Sequence, residues 1–248
     1  MRKLSPLKAV SHALKSVITY RSVGIRFGLF WIPVLFVLGL IELNVGVPDP
    51  ESMQLGAPAL VQLVSVVVSF AAFCSMAVNW HRFILRDETG HPARLDRTVW
   101  RYVGNSLAIM LMVFLPIAVL VTIVASLPPL ASVLLIPASL AAGAVVTGLS
   151  IKLPAVALGR TDFSFGDAWR ATANNHWQLL GVFLLNAVIV FAAILLLVAI
   201  LNGIGLFSTV LAEATALVLG AILQLFYALF NASIFTSLYG FFVERRDF

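Results

Sequence analysis

Long apolar runs separated by short polar segments dominate the pattern of this chain. The runs cover 23–43, 58–80, 103–125, 130–151, 179–201 and 211–243. A helix rises ~1.5 Å per residue, and about 20 apolar residues span a bilayer core, so each of the first five runs predicts one crossing. The sixth is longer than a crossing needs, which predicts a tilted helix or one that continues into the cytoplasm. Pro33, Pro116 and Pro137 fall inside runs. Kinks are expected there, because neighbouring helices can satisfy the carbonyls that a proline frees.

The first segment has a different period. Leu4, Leu7, Val10, Leu14 and Val17 recur every three or four positions, while Lys8, His12, Lys15 and Thr19 fall on another face. Ser5 is a natural N-cap and Pro6 suits a first turn. Residues 1–22 therefore read as an amphipathic helix. The pattern fits a helix lying at the membrane surface and equally one packed on the rest of the protein. It has no continuous apolar core and no small-residue cleavage site, so no cleavable signal peptide is expected and the first run should act as the targeting signal.

Composition strengthens this picture. The chain of 248 residues is 61% hydrophobic and 11% charged, whereas soluble domains carry about 25% charged residues. The expected fold class is an all-α integral membrane protein: a six-transmembrane-helix bundle over 23–248, preceded by the amphipathic interfacial helix. The formal charge of +5 could suit nucleic acid, but the charges are confined to the segments between runs. Orientation in the membrane explains that better, and no nucleic-acid partner is expected.

The charges are one-sided. All 16 Lys and Arg lie before or at the opening of the first run, between the second and third, between the fourth and fifth, or after the sixth. The other side holds only acids, Asp49 and Glu51 with Glu42 and Glu213 at run ends. The positive-inside rule then places both termini in the cytoplasm. Trp80, Trp100, Trp169 and Trp177 fall at the basic ends of runs, where amphipathic rings favour the interface. Trp80 and Arg82, Trp100-Arg101 and Trp169-Arg170 are thus candidate interface residues. Trp100 to Asn105 also aligns in register with Trp169 to Asn174. Either two hairpins form a pseudo-symmetric repeat, or both are generic helix starts.

The most patterned polar stretch is Arg160-Thr161-Asp162-Phe163-Ser164-Phe165-Gly166-Asp167-Ala168-Trp169-Arg170. Ser164 with Asp167 is a capping-box spacing, and Phe163 can staple to Ala168. A short helix should start at Ser164 and lead through Trp169 into the fifth span. From Lys152 to Leu185, with Thr172, Asn174, Trp177 and Leu179-Leu180-Gly181, the sequence resembles a recurrent segment of bacterial multi-pass proteins. These are similar to the membrane domain attached to some glycerophosphodiester phosphodiesterases. The resemblance implies an accessory domain of a bacterial cytoplasmic membrane with no assigned chemistry. His81-Arg82 echoes the opening pair of the phosphodiesterase domain, but no following glycine or Glu-x-Asp motif is present, so no activity is carried over.

His12, His81, His91 and His176 lie in segments expected to be cytoplasmic, at spacings that match no metal site, so solvated positions are expected and no metal or cofactor. Cys74 is the only cysteine, which excludes an internal disulfide. No nucleophile elbow, phosphate loop or zinc helix occurs, and no enzymatic function is expected.

No run carries a charge near its centre, which disfavours a proton-coupled pump. Amides and hydroxyls remain. Gly220, Gln224, Tyr227 and Asn231 share one face of the sixth run, Gln62, Ser65 and Ser69 one face of the second, and Asn186 lies in the fifth. Such stripes glue helices together or line a path. Gln224 is expected to be buried against neighbouring helices, paired with Asn186, Gln62 or a partner subunit. Ser139, Gly143 and Thr147 form a small-residue ridge on the fourth run that permits close helix approach. The leading expectation is a non-enzymatic structural or accessory protein acting through membrane lipids or other membrane subunits. The alternative is a small transporter or channel using the sixth-span stripe.

Overall fold

A computed structural model describes residues 2–46, 56–125 and 128–247, with the side chains of 125 and 128–132 left aside. Asp49 and Glu51 lie outside the described residues. Every regular element described is helical: α1 (Pro6–Thr19), α2 (Arg21–Gly28), α3 (Trp31–Val45), α4 (Ala57–Arg86), α5 (Arg97–Ala125), α6 (Pro128–Leu149), α7 (Lys152–Ala157), α8 (Phe165–Thr172), α9 (His176–Gly205) and α10 (Thr209–Phe242). Five helices are long and apolar enough to cross a membrane, and six crossings result if α2 and α3 form one broken span. A chain in lipid has no water to satisfy its backbone, so each crossing must close its own hydrogen bonds. That requirement makes these helices long and continuous.

The first span departs from expectation. α2 and α3 are bent by 50°. Pro33 is the third residue of α3. It has no N–H for the carbonyl four residues back, and its ring crowds that group. The residue four back is Leu29, where the break falls. α5 and α6, by contrast, run on through Pro116 and Pro137.

α10 is the central element, in contact with α1, α2, α3, α4, α7 and α9. Close approach to α2 depends on Gly24 and Gly28. A Cβ at Gly24 would stand 2.6 Å from Leu229 Cδ1, and one at Gly28 2.8 Å from Leu225 Cδ1. This small-xxx-small pair was legible in the sequence but stands outside the ridge expected on the fourth run. On that ridge, Gly143 receives the ring of Phe183 of α9, 2.5 Å from where a Cβ would sit.

The bundle has a basic end, built by α1, α7, α8, the Asp87–Asp96 loop and the C-terminal segment. Here α1 packs on α9 and α10, burying Leu4, Ala9, Val10, Ala13 and Val17 while Leu7 and Ile18 stay exposed. Ser5 caps it and Pro6 opens it. Asn175 Oδ1 accepts from Leu4 N–H at 3.0 Å, and Lys3 Nζ donates to Asn174 O at 2.7 Å. The packed reading of the segment therefore describes one face, and the other face is open.

The Ser164–Asp167 capping box is present, and Phe163 and Ala168 are both buried. α8 does not lead directly into α9, however. Asn174 takes a left-handed φ of 65°, a conformation asparagine tolerates better than most residues, and it separates the two helices. The Trp-Arg pairs are consequently not equivalent. Trp100 lies in the first turn of a spanning helix, whereas Trp169 lies on a separate short one, so the aligned segments fall on unlike elements.

Candidate functional site

The polar side chains of α4 and α10 fall into two groups. At the basic end they pair with one another. Trp80 Nε1 donates to Ser233 Oγ at 2.7 Å. Thr236 Oγ1 donates to Ala232 O, so it accepts from His81 Nδ1 at 2.7 Å. His81 Nε2 is thereby left to accept from the Tyr102 hydroxyl at 3.0 Å. Trp80, His81 and Tyr102 are each fully buried. Asn79 Nδ2 donates to His91 O at 3.0 Å, and Trp31 Nε1 to Pro92 O at 3.1 Å, which ties the Asp87–Asp96 loop to the bundle. Arg82 pairs with Glu88 and donates to Ala157 O.

These placements correct two expectations. His81 is a core histidine and not a solvated one, because α4 extends beyond its apolar run and α5 and α10 enclose that extension. Trp80 belongs to the core and not to an interface belt. Trp100 and Trp169 remain exposed, Arg101 is half-buried, and Arg170 is exposed and bonded to Asp167 at 2.6 Å. Hydrogen bonds from the Ser164 hydroxyl and N–H, with the Arg170 guanidinium, hold the Asp167 carboxyl well below the usual carboxylate range.

Away from the basic end, the polar side chains line space. An outer cavity of about 640 Å³ lies among α3, α4 and α10, three helices in mutual contact. Spacings of three and four bring Gln62, Ser65 and Ser69 to one face of α4, and that face meets Gln224, Tyr227 and Glu42 in this cavity. Gln62 is roughly 8 Å along α4 from its start and Ser69 roughly 18 Å, at ~1.5 Å per residue. The cavity thus reaches from the end opposite the basic one toward the middle of the bundle.

An inner cavity of about 260 Å³ adjoins it, lined by Ser106, Thr147, Asn186 and Asn231 among others. Phe70, Phe73 and Tyr227 line both cavities, and the Phe73 and Tyr227 rings lie 6.4 Å apart. An aromatic layer therefore divides two polar compartments.

The stripe on α10 is accordingly split. Gln224 is exposed and lines the outer cavity instead of being buried against a neighbour. The amide pair formed is Asn186 Nδ2 to Asn231 Oδ1 at 3.1 Å, with Asn231 Nδ2 donating to Tyr227 O at 2.9 Å. Helical spacing alone aligned Gln224 with Asn231, but Asn186 of α9 bonds to Asn231 whereas Gln224 faces the outer cavity.

Three buried polar atoms lack a hydrogen-bond partner and belong to residues lining these cavities: Ser65 Oγ in the outer, Ser106 Oγ and Asn186 Oδ1 in the inner. Leaving such a group bare in an apolar setting costs about 1–3 kcal/mol. Ser106 and Glu42 were absent from the sequence-based candidates. Ser106 gives no local signal, and Glu42 reads as a run end. Among the described residues no group of His, Cys, Asp or Glu is placed to hold a metal ion. No family model, curated protein or solved structure matches the chain.

Proposed function

We propose that this chain is a six-span protein of a bacterial cytoplasmic membrane, with both termini in the cytoplasm, that takes a small polar solute into compartments within its bundle, as a transporter or channel does. The carrying observation is the convergence of the α4 and α10 stripes on one cavity, continued by a second cavity across an aromatic layer. Most pockets that bind small molecules have this composition, a mainly apolar wall with a few converging polar groups. Orientation rests on the one-sided placement of Lys and Arg.

Accessibility tests the reading. In a Cys74→Ala background, Gln224→Cys should react with an impermeant charged thiol reagent added from outside. Ile222→Cys should not, since Ile222 is 51% exposed and is not among the residues that line either cavity. Equal protection of both positions would overturn the solute reading. In the same background Ser208→Cys should label from outside and Thr89→Cys should not; labelling of Thr89→Cys in intact cells would overturn the topology.

A second reading, a non-enzymatic accessory protein acting through lipids or partner subunits, is favoured by one observation. At the basic end, and at Asn186–Asn231, polar side chains bond to each other across helices, as in helix glue. Its resemblance to an accessory membrane domain points the same way. In that case Gln224→Leu and Asn231→Leu would alter assembly and leave solute flux into proteoliposomes unchanged.

A further inference from the structure

The inner cavity has a chemistry of its own. Its described polar lining consists of hydroxyls and amides, with no Asp, Glu, Lys or Arg among the described residues that line it. The Asn186–Asn231–Tyr227 chain fixes which amide atoms are engaged. One N–H of each amide is directed to a protein acceptor, and the Asn186 carbonyl oxygen is left without a partner. Ser106, 9% exposed, has an Oγ with no oxygen or nitrogen partner and a weak contact to the Cys74 thiol. The Thr147 hydroxyl donates to Gly143 O at 2.8 Å, so its remaining capacity is to accept. The cavity therefore offers a donor-acceptor hydroxyl, two acceptors and the second N–H of each amide.

We infer that the inner cavity is a binding site for a small uncharged solute of the polyol or amide class, one that donates to Asn186 Oδ1 and Thr147 and exchanges a hydrogen bond with Ser106, with the Phe70–Phe73–Tyr227 layer as the barrier it crosses from the outer cavity. This inference rests on the solute-compartment reading above and specifies its substrate. Charge is excluded for a physical reason. An ion entering the middle of the bundle loses its hydration, and no opposite charge among the described lining residues replaces it. Size is limited as well, because about 260 Å³ is smaller than the ~300–1,000 Å³ of pockets for drug-sized ligands. Tyr227 is the specificity-determining residue of the barrier. Tyr227 lines both compartments, and its carbonyl anchors the amide chain.

The test uses the full-length protein in proteoliposomes, with Cys74→Ala and a single cysteine at Ser106 or, as a second variant should the first fail to fold, at Thr147. Methyl methanethiosulfonate, small and neutral, should modify the cysteine, and its trimethylammonium-ethyl analogue should react at least about tenfold more slowly, as desolvating a cation in an apolar interior demands. Glycerol or acetamide at high concentration should slow the neutral reaction, and Tyr227→Ala should speed it. Equal rates for the two reagents would overturn the charge selection. Absence of protection by either solute would overturn the site and leave a water-filled pocket. No reaction at either cysteine, while Gln224→Cys still labels, would overturn the inner site and spare the outer compartment. Failure of Gln224→Cys as well would remove the solute reading itself.

Discussion

Along α4 and α10 the same residue types serve two purposes. Near the basic end, Asn79, His81, Ser233 and Thr236 are buried and hydrogen-bonded. Toward the other end, Gln62 and Gln224 are exposed to a cavity and Ser65 is buried without a partner. The helices are the same; their neighbours differ. At the basic end α1, α2, α5 and α7 crowd around the pair, whereas the outer cavity is bounded by α3 alone besides the pair itself. A polar residue on a spanning helix thus carries no function by type. It becomes glue where enough helices surround it and lining where they do not.

The sharpest way to break this comparison is at His81. His81→Ala removes a fully buried ring and leaves Tyr102 without its acceptor, so a loss of about 3 kcal/mol is expected. The midpoint of unfolding in a denaturing-detergent titration measures it, and a loss near zero would mean the basic end is not the rigid one. Trp80→Phe keeps most of the packing but removes the bond to Ser233, and should cost about 1 kcal/mol in the same titration. Gln224→Leu should change stability by less than about 0.5 kcal/mol. A cost equal to that of Trp80→Phe would show that the outer end is glued as well.

The smallest effect concerns the exposed Ser164–Asp167–Arg170 cluster. The folded carboxyl titrates below its unfolded value, so its contribution is complete above about pH 4 and is lost as pH falls through the lower folded value. Amide exchange of the first turn of α8 should be insensitive to this group between neutral pH and about pH 5 and should rise only in stronger acid. Asp167→Asn should remove that acid transition.

The features legible from residues alone are local ones. The Ser5 and Ser164 caps, the long apolar helices and the one-sided charges each depend on a few neighbouring positions or on a running composition. Pro33 contained the break in the first span, but the expectation set the distortion at the proline instead of four residues before it. The split of the α10 stripe was not legible, because periodicity gives a face of a helix and not the helix that covers it. His81 was misplaced for the same reason: a histidine beyond an apolar run reads as solvated until Tyr102 and Thr236 are known to meet it.

Sequence by itself determined that the chain forms helices long and apolar enough to cross a bilayer, because lipid forces every crossing to satisfy its own backbone and to expose little charge. Only the tertiary structure decided which amides and hydroxyls pair and which face a cavity, because that depends on contacts between residues as far apart as Trp80 and Ser233, or Asn186 and Asn231, which no local pattern encodes.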